Sequence, residues 1–515
     1  MFFTKSPTEI LRHIKSKIKR TWKTAFFAAI LIGLAAHFMV IINDWPNHDG
    51  LSSMYFDQNM ITSGRWFLTI ACGVTSYFTL PWLIGLFAIF FVALGAAALT
   101  ELLELENSIA IVLISGLLAA FPALASTFAY IFTADGYMLA LLLAILAVLV
   151  TKKYPLGFVA GGILLAFSMG TYQSYLAFTM ILCIYMVAII CLETTGLKNI
   201  LKKSLPYLYM GVTGVALYYI ILKILLLIQN KQLADYQGIN TLEQADRPGV
   251  LQSILHMYQD FIAFTTRGNV FINNGFSLVA VIAIALLVLY ALGSVMKKNK
   301  LYKRPLFYLG AVLILAIVPL AANIILLISP EVNYHLIMRY QWVLFLILAL
   351  AFLERYLKEE APKINLIKWI AILCFGTLVL NFVVTDNIAY SNLAKKYEKT
   401  YAYCLRLADR IEQTEGYYTG MPVAMIGVIS ETNFPQTDLS LSVTSNIIGA
   451  SGETLLYTSD NYQAFLKNYL DITIDLVSDE EMLEIYNSQI YQEMDSFPGA
   501  DSVKVVDGIL YVKTE

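Results

Sequence analysis

Charge is scarce in this 515-residue chain: Asp, Glu, Lys and Arg together make up 14%, against 58% hydrophobic residues. That balance excludes a water-soluble protein, whose surface has to be covered as well as its core filled. Cysteine is scarcer still, with five residues, three of them (Cys183, Cys191 and Cys374) inside apolar runs. Neither a disulfide framework nor a zinc spacing is present, and Cys72 and Cys404 are the pair left for a single bridge. No cleavable secretory leader is expected, because the first apolar stretch, 24–42, is too long for a signal core and lacks a small-residue cleavage site. Internal repeats of the kind many transporters show are missing. The segment from Asp386 onward holds no phosphate loop, nucleophile elbow or metal cluster.

Charge that is present is sorted. From Asp386 onward there are 8 Lys and Arg against 20 Asp and Glu, whereas the preceding 385 residues hold 27 against 17. The acidic tail argues against nucleic acid as a partner. The apolar residues come in runs near 20 long, such as Pro81–Thr100, Leu205–Ile228 and Ser277–Val295. A helix of that length spans roughly 30 Å of hydrocarbon. The fold class is therefore mainly α: a polytopic membrane helical bundle of about eleven transmembrane helices.

The expected spans are 24–42, 81–100, 108–125, 136–150, 156–172, 174–192, 205–228, 277–296, 305–329, 336–354 and 365–384. A basic N-terminal segment, 1–23, belongs inside, and Lys152–Lys153, Lys198–Lys203, Lys297–Arg304 and Arg355–Lys363 then fall on the same side, as the positive-inside rule requires. Only the basic-poor turn Glu101–Glu106 lacks that support. Residues 8–23 set Ile10, Leu11, Ile14 and Ile18 against lysines, which suits an interfacial amphipathic helix or a plain charge anchor. The domain plan is thus 1–23 cytoplasmic, 24–385 transmembrane, and 386–515 a small extracytoplasmic α/β domain. Its expected strands are Pro422–Ile429, Asp471–Val477 and Gly508–Lys513, with a helical stretch at Ala389–Gln413.

Polar density concentrates in the outer loops. The first contains Asp44, His48, Asp49, Asp57 and Arg65 among aromatics such as Trp45, Tyr55 and Trp66. A carboxylate at the boundary can serve as general base toward a hydroxyl acceptor, and an arginine can hold a departing phosphate by two bonds. The competing reading is a solvated loop in which Asp44 caps a helix. Asp135 opens the fourth span, where an N-cap role competes with a functional one. Tyr172 and Gln173 form a polar turn between two apolar spans. Lys223, near the end of its span, and Arg339, near the start of another, suit either snorkelling to the interface or a lipid phosphate. His335 precedes Arg339, and the long outer loop adds Lys231, Asp235, His256, Asp260 and Arg267.

His48-Asp49 followed by Gly64-Arg65-Trp66 resembles the Gtr type II glucosyltransferase family. So do Pro81-Trp82, the run from Phe121 to Tyr130 leading to Asp135-Gly136-Tyr137, and Gly170-Thr171-Tyr172-Gln173-Ser174-Tyr175. The similarity covers roughly residues 30–360. It implies a GT-C class enzyme that takes a sugar from a polyprenyl-phosphate carrier on the outer face, with an acidic residue in the first outer loop. It also implies two adjacent acids there, whereas Asp49 is followed by Gly50, leaving Asp44 or Asp57 to supply the second carboxylate.

Combined with the topology, the resemblance implies transfer of a hexose, glucose by the family's name, to a cell-surface glycan with inversion. Asp49 or Asp44 acts as base, and Arg339, Arg65 or Lys223 meets the phosphate. No cofactor is required, although a divalent ion between Asp44 and Asp49 stays compatible. The rival classes are a lipid or sugar flippase or transporter, and a non-catalytic protein of surface-polymer assembly.

Overall fold

The computed structural model describes residues 6–52, 60–73, 79–234, 249–330, 332–358, 361–427, 444, 446–450 and 455–514. Ten of its helices are long and apolar enough to cross a membrane: Arg20–Ile41, Pro81–Leu103, Ser108–Ala129, Ile131–Lys153, Tyr175–Glu193, Leu197–Ile228, Gly275–Lys298, Pro305–Ala322, Leu336–Tyr356 and Pro362–Glu412. Gly157–Thr171 is a shorter apolar helix between two of them. The protein is a multi-pass helical membrane bundle with a small sheet at its C-terminal end. Without a hydrophobic drive inside lipid, such helices associate where small residues let backbones approach. Gly162 shows this, because a Cβ there would lie 2.7 Å from the side chain of Thr213 on the neighbouring helix.

Several spans are less regular than their hydropathy suggests. The third divides into Ser108–Ala120 and Pro122–Ala129, with Phe121 extended at ψ 132° between them. Proline disfavours a helical conformation in the residue before it. The expected span 305–329 ends as a helix at Ala322, and a four-residue helix, Ile325–Ile328, follows. At the break the Asn323 amide donates to the Met257 carbonyl at 2.7 Å. The span expected at 336–354 begins as a 3-10 turn, Leu336–Trp342, and becomes α-helical at Val343. Ahead of the first span, Pro7–Lys17 is a separate helix whose start is closed by a reciprocal Ser6–Glu9 capping box.

The expected last span and the expected polar helix of the tail are one helix, Pro362–Glu412, of 51 residues, about 76 Å long at 1.5 Å per residue. No Gly or Pro interrupts Thr385–Ile388, so the change from apolar to polar sequence alters the helix's surroundings and not its backbone. It runs beside the first span. The Tyr390 hydroxyl bonds His37 Nδ1 at 2.6 Å, while His37 Nε2 faces the Ala119 carbonyl at 2.8 Å. The Asn387 amide donates to the Ala35 carbonyl at 3.1 Å.

The tail is an α/β unit. Strands β1 (Pro422–Ile426), β2 (Asp475–Leu476), β3 (Val503–Val506) and β4 (Ile509–Lys513) lie in the order β2-β1-β4-β3. β1 is parallel to both neighbours, and β3–β4 is an antiparallel hairpin. β3 went unforeseen, although Asp507-Gly508, with φ of 48° and 80°, is the residue pair such a two-residue turn prefers. Val423, Met425, Leu510 and Val512 of the sheet, Phe465 of helix Ser459–Leu470, and Leu407 and Ile411 of the long helix share one core. None of the five cysteines is in a disulfide, so Cys72 and Cys404 are not bridged to each other.

Candidate functional site

Two described stretches of the first loop, 43–52 and 60–73, are separately anchored arms, one acidic and one cationic. In the acidic arm Asn47 is buried and accepts from the Gly50 N–H at 2.7 Å through its side chain, which starts the short helix His48–Ser52. Its amide donates to the Ala129 carbonyl at 2.8 Å, pinning the arm to the segment after the Pro122 break. Asn47, not Asp44, caps this helix. Asp49 projects outward with its side chain 57% exposed, and His48 Nε2 lies 3.4 Å from its Oδ1. The His48 ring sits edge-on to Tyr130 and to Tyr457 of the tail.

The tail grips this arm. Leu51 is buried within the tail core, and the side chains of Asn461 and Asn468 donate to the carbonyls of His48 (3.3 Å) and Leu51 (3.4 Å). Asp44 accepts from the Tyr469 hydroxyl at 3.3 Å. Loss of hydration from the surrounding protein pushes the Asp44 carboxyl above its ordinary range, and the Tyr469 bond offsets part of that rise.

The cationic arm folds against the turn that joins Gly157–Thr171 to Tyr175–Glu193. Phe67 donates its backbone N–H to the Gly170 carbonyl at 2.7 Å. A Cβ on Gly170 would come within 2.5 Å of the Trp66 indole, so this glycine admits the tryptophan. Gln173 donates to the Ser63 carbonyl at 2.8 Å and to the Tyr218 hydroxyl at 3.2 Å, and that hydroxyl donates to the Gly64 carbonyl at 3.1 Å. Held this way, Arg65 rests 5.0 Å above the Tyr172 ring and donates to the Tyr137 hydroxyl at 3.3 Å. Tyr137 and Tyr172 stack at 4.4 Å. A narrow cleft opens here, lined by Ser63, Arg65, Tyr172, Gln173, Ser329 and Met338.

His335 faces the same neighbourhood. Burial first, then the charges of Arg65 and Arg339, push its pKa down to about 4, so it is neutral near pH 7. Asp135 is buried in the first turn of its helix, its Oδ1 accepting from the Gly136 N–H at 2.8 Å. It also bonds the Cys72 thiol, which burial and then the Asp135 charge push up.

Among the described residues, the remaining sequence candidates do not line this cleft, although Arg339 also stands near His335. Arg339 is buried and forks onto Asp260 with bonds of 2.7 and 2.8 Å, between the rings of Phe264 and Tyr334. Its Nε and Nη2 also donate to the Tyr334 carbonyl at 3.0 and 2.9 Å. Lys223 lies 5.4 Å over the Tyr219 ring, and Arg267 is exposed at the end of helix Val250–Arg267. Asp57 and Asp235 lie outside the described residues. Among the described residues no three His, Cys, Asp or Glu side chains converge to hold a metal ion.

The structure therefore gathers Arg65, Tyr172, Gln173 and His335, and puts Asp44 and Asp49 in the neighbouring arm. One short stretch joins the two arms: Ala129 and Tyr130 carry the acidic arm, while Asp135 and Tyr137 meet the cationic one. Sequence reading assigned no role to Asn47, Tyr137, Tyr469 or Asn461. A family model described as Glucosyl transferase GtrII matches residues 38–353, both arms included, and stops before the tail. No curated protein and no solved structure matches the chain.

Proposed function

The chain belongs to the glucosyl transferase GtrII family and is a multi-pass membrane glycosyltransferase, and from that premise we propose that it transfers glucose from a polyprenyl-phosphate carrier to a cell-surface glycan on the extracytoplasmic face. The basic segments assigned to the opposite face support that orientation. The carrier lies in the outer leaflet with its phosphate at Arg65. Among the candidate cations Arg65 suits this role best, because Arg339 already holds Asp260 and a guanidinium matches a phosphate's two oxygens.

Asp49 takes the proton from an acceptor hydroxyl, and its outward side chain supports that assignment. The hydroxyl oxygen attacks the anomeric carbon as the bond to the carrier phosphate breaks, so configuration inverts. The leaving phosphate monoester takes up the added negative charge beside Arg65, whose aromatic surroundings strengthen that stabilisation. Asp44 is the alternative base. Its raised pKa keeps it a stronger proton acceptor than an ordinary carboxylate once ionised.

The observation that carries the reading is the anchoring of an exposed carboxylate arm and an arginine arm on one short segment, 129–137. The test is transfer of radiolabel from polyprenyl-phosphate glucose to envelope glycan by the full chain in nanodiscs. Asp49→Asn is expected to lower turnover by 100-fold or more, on the order of a lost general base, with folded protein recovered in equal amount. Unaltered transfer in both Asp49→Asn and Asp44→Asn would remove the assignment, and lipid movement without glycosidic product would replace it with a flippase.

A further inference from the structure

Above the first span, where the tail meets the acidic arm, Tyr469 and Tyr397 flank Asp44 and Tyr401 stands beside Tyr397. Tyr397 and Tyr401 are one turn apart on the long helix, with ring centroids 6.3 Å apart. Tyr469, at the end of helix Ser459–Leu470, meets Tyr397 edge-on at 5.4 Å and donates its hydroxyl to Asp44. Tyr401 is 38% exposed, Tyr397 and Tyr469 are half-buried, and Asp44 keeps an exposed flank although protein crowds its carboxyl.

The height of this cluster follows from helix register. The long helix and the first span run in the same direction, with Tyr390 opposite His37. Seven residues further along the long helix stands Tyr397, about 10 Å beyond that pair, beside Asp44 of the first loop. The first span has ended at Ile41 by then. The cluster is therefore a shelf just past the membrane boundary, on the face that carries Asp49.

Its chemistry suits one class of ligand. Sugars present C–H groups on one side of the ring and hydroxyls around the edge. Tyrosine offers a flat apolar face with a polar tip, and Asp44 offers acceptors for hydroxyl groups. An aliphatic or protein partner would gain little from a carboxylate at the centre of its footprint, and an anionic lipid headgroup would be repelled by it.

We propose that Tyr397, Tyr401, Tyr469 and Asp44 form the acceptor subsite, where a neutral stretch of the glycan lies on the tyrosine faces while the hydroxyl to be glycosylated reaches the first loop. The assignment rests on the reading of this face as the side where sugar is transferred. It gives the tail, which lies beyond the family match, the task of presenting the acceptor.

The test needs no donor. Full chain in nanodiscs is passed over immobilised polysaccharide extracted from the envelope of the encoding cell. Wild type should be retained, Tyr397→Ala/Tyr401→Ala should lose at least tenfold in retention, and Tyr397→Phe/Tyr401→Phe should keep it. Equal retention of wild type and the double alanine variant, or no retention of wild type, overturns the subsite. Tyr401→Ala alone, at an exposed position, repeats the measurement should the double variant fold poorly. Because donor is absent, a failed transfer assay and a failed retention assay strike different claims.

Discussion

A guanidinium resting on one tyrosine ring and aimed at the hydroxyl of another leaves little room for a lysine. Arg65 stacks on Tyr172 and reaches Tyr137, and an ammonium has neither the plane to stack nor the fork to hold two phosphate oxygens. Arg65→Lys should keep the fold and lower kcat/KM for the lipid donor about 10- to 100-fold, the value of a charged hydrogen bond, as read from initial rates on thermally matched protein. His335 makes a pH prediction. Its folded pKa, about 4, lies below the ordinary 6.5, so the unfolded chain takes up the proton first as acid is added. Nothing is lost above about pH 7, and folded stability falls between roughly pH 6.5 and 4 by up to about 3 kcal/mol. The thermal midpoint of wild type should therefore drop toward that of His335→Gln across that window; parallel curves for the two proteins would contradict it. Arg65, Tyr172 and Gln173 were legible as candidates because each is a polar or charged residue beside an apolar run. Asn47 was not, since an asparagine in a polar loop looks ordinary until its partners are seen, and Tyr137 entered only within the run Asp135-Gly136-Tyr137, with no role of its own.

Helices and their breaks are the next scale. The Asp260–Arg339 fork ties helix Val250–Arg267 to the 3-10 turn Leu336–Trp342, and with Arg339 buried the loss of its countercharge is costly. Asp260→Asn should destabilise the chain by about 3–5 kcal/mol, whereas Asp260→Asn with Arg339→Met should recover part of that loss in a thermal-shift series. Hydropathy revealed nearly every span because the bilayer demands one property over about 20 residues. It was blind to the breaks at Phe121 and Asn323, which satisfy the same apolar average. It was blind as well to the continuity of Pro362–Glu412, since backbone hydrogen bonding takes no notice of where lipid gives way to water.

For the molecule as a whole, the decisive contact is between residues about 400 positions apart. Leu51, from the first loop, completes the core of a domain that begins after the last span. Leu51→Ala should loosen that docking by about 2–5 kcal/mol, as for other buried leucines, and raise hydrogen exchange in Ser459–Leu470 while leaving the bundle unchanged. Alternating apolar runs and turn residues made the tail legible as an α/β unit. No local pattern records that Asn461 and Asn468 donate to the loop, because such pairings exist only once both partners are folded.

The unbroken helix leaves the tail without a joint. Sliding it by a single residue would be a screw motion of about 1.5 Å and 100°. That one step would take Tyr390 off His37 and Tyr469 off Asp44 together. Depth in the bilayer and the aim of the C-terminal domain are therefore one mechanical coordinate, set by a single register along the first span.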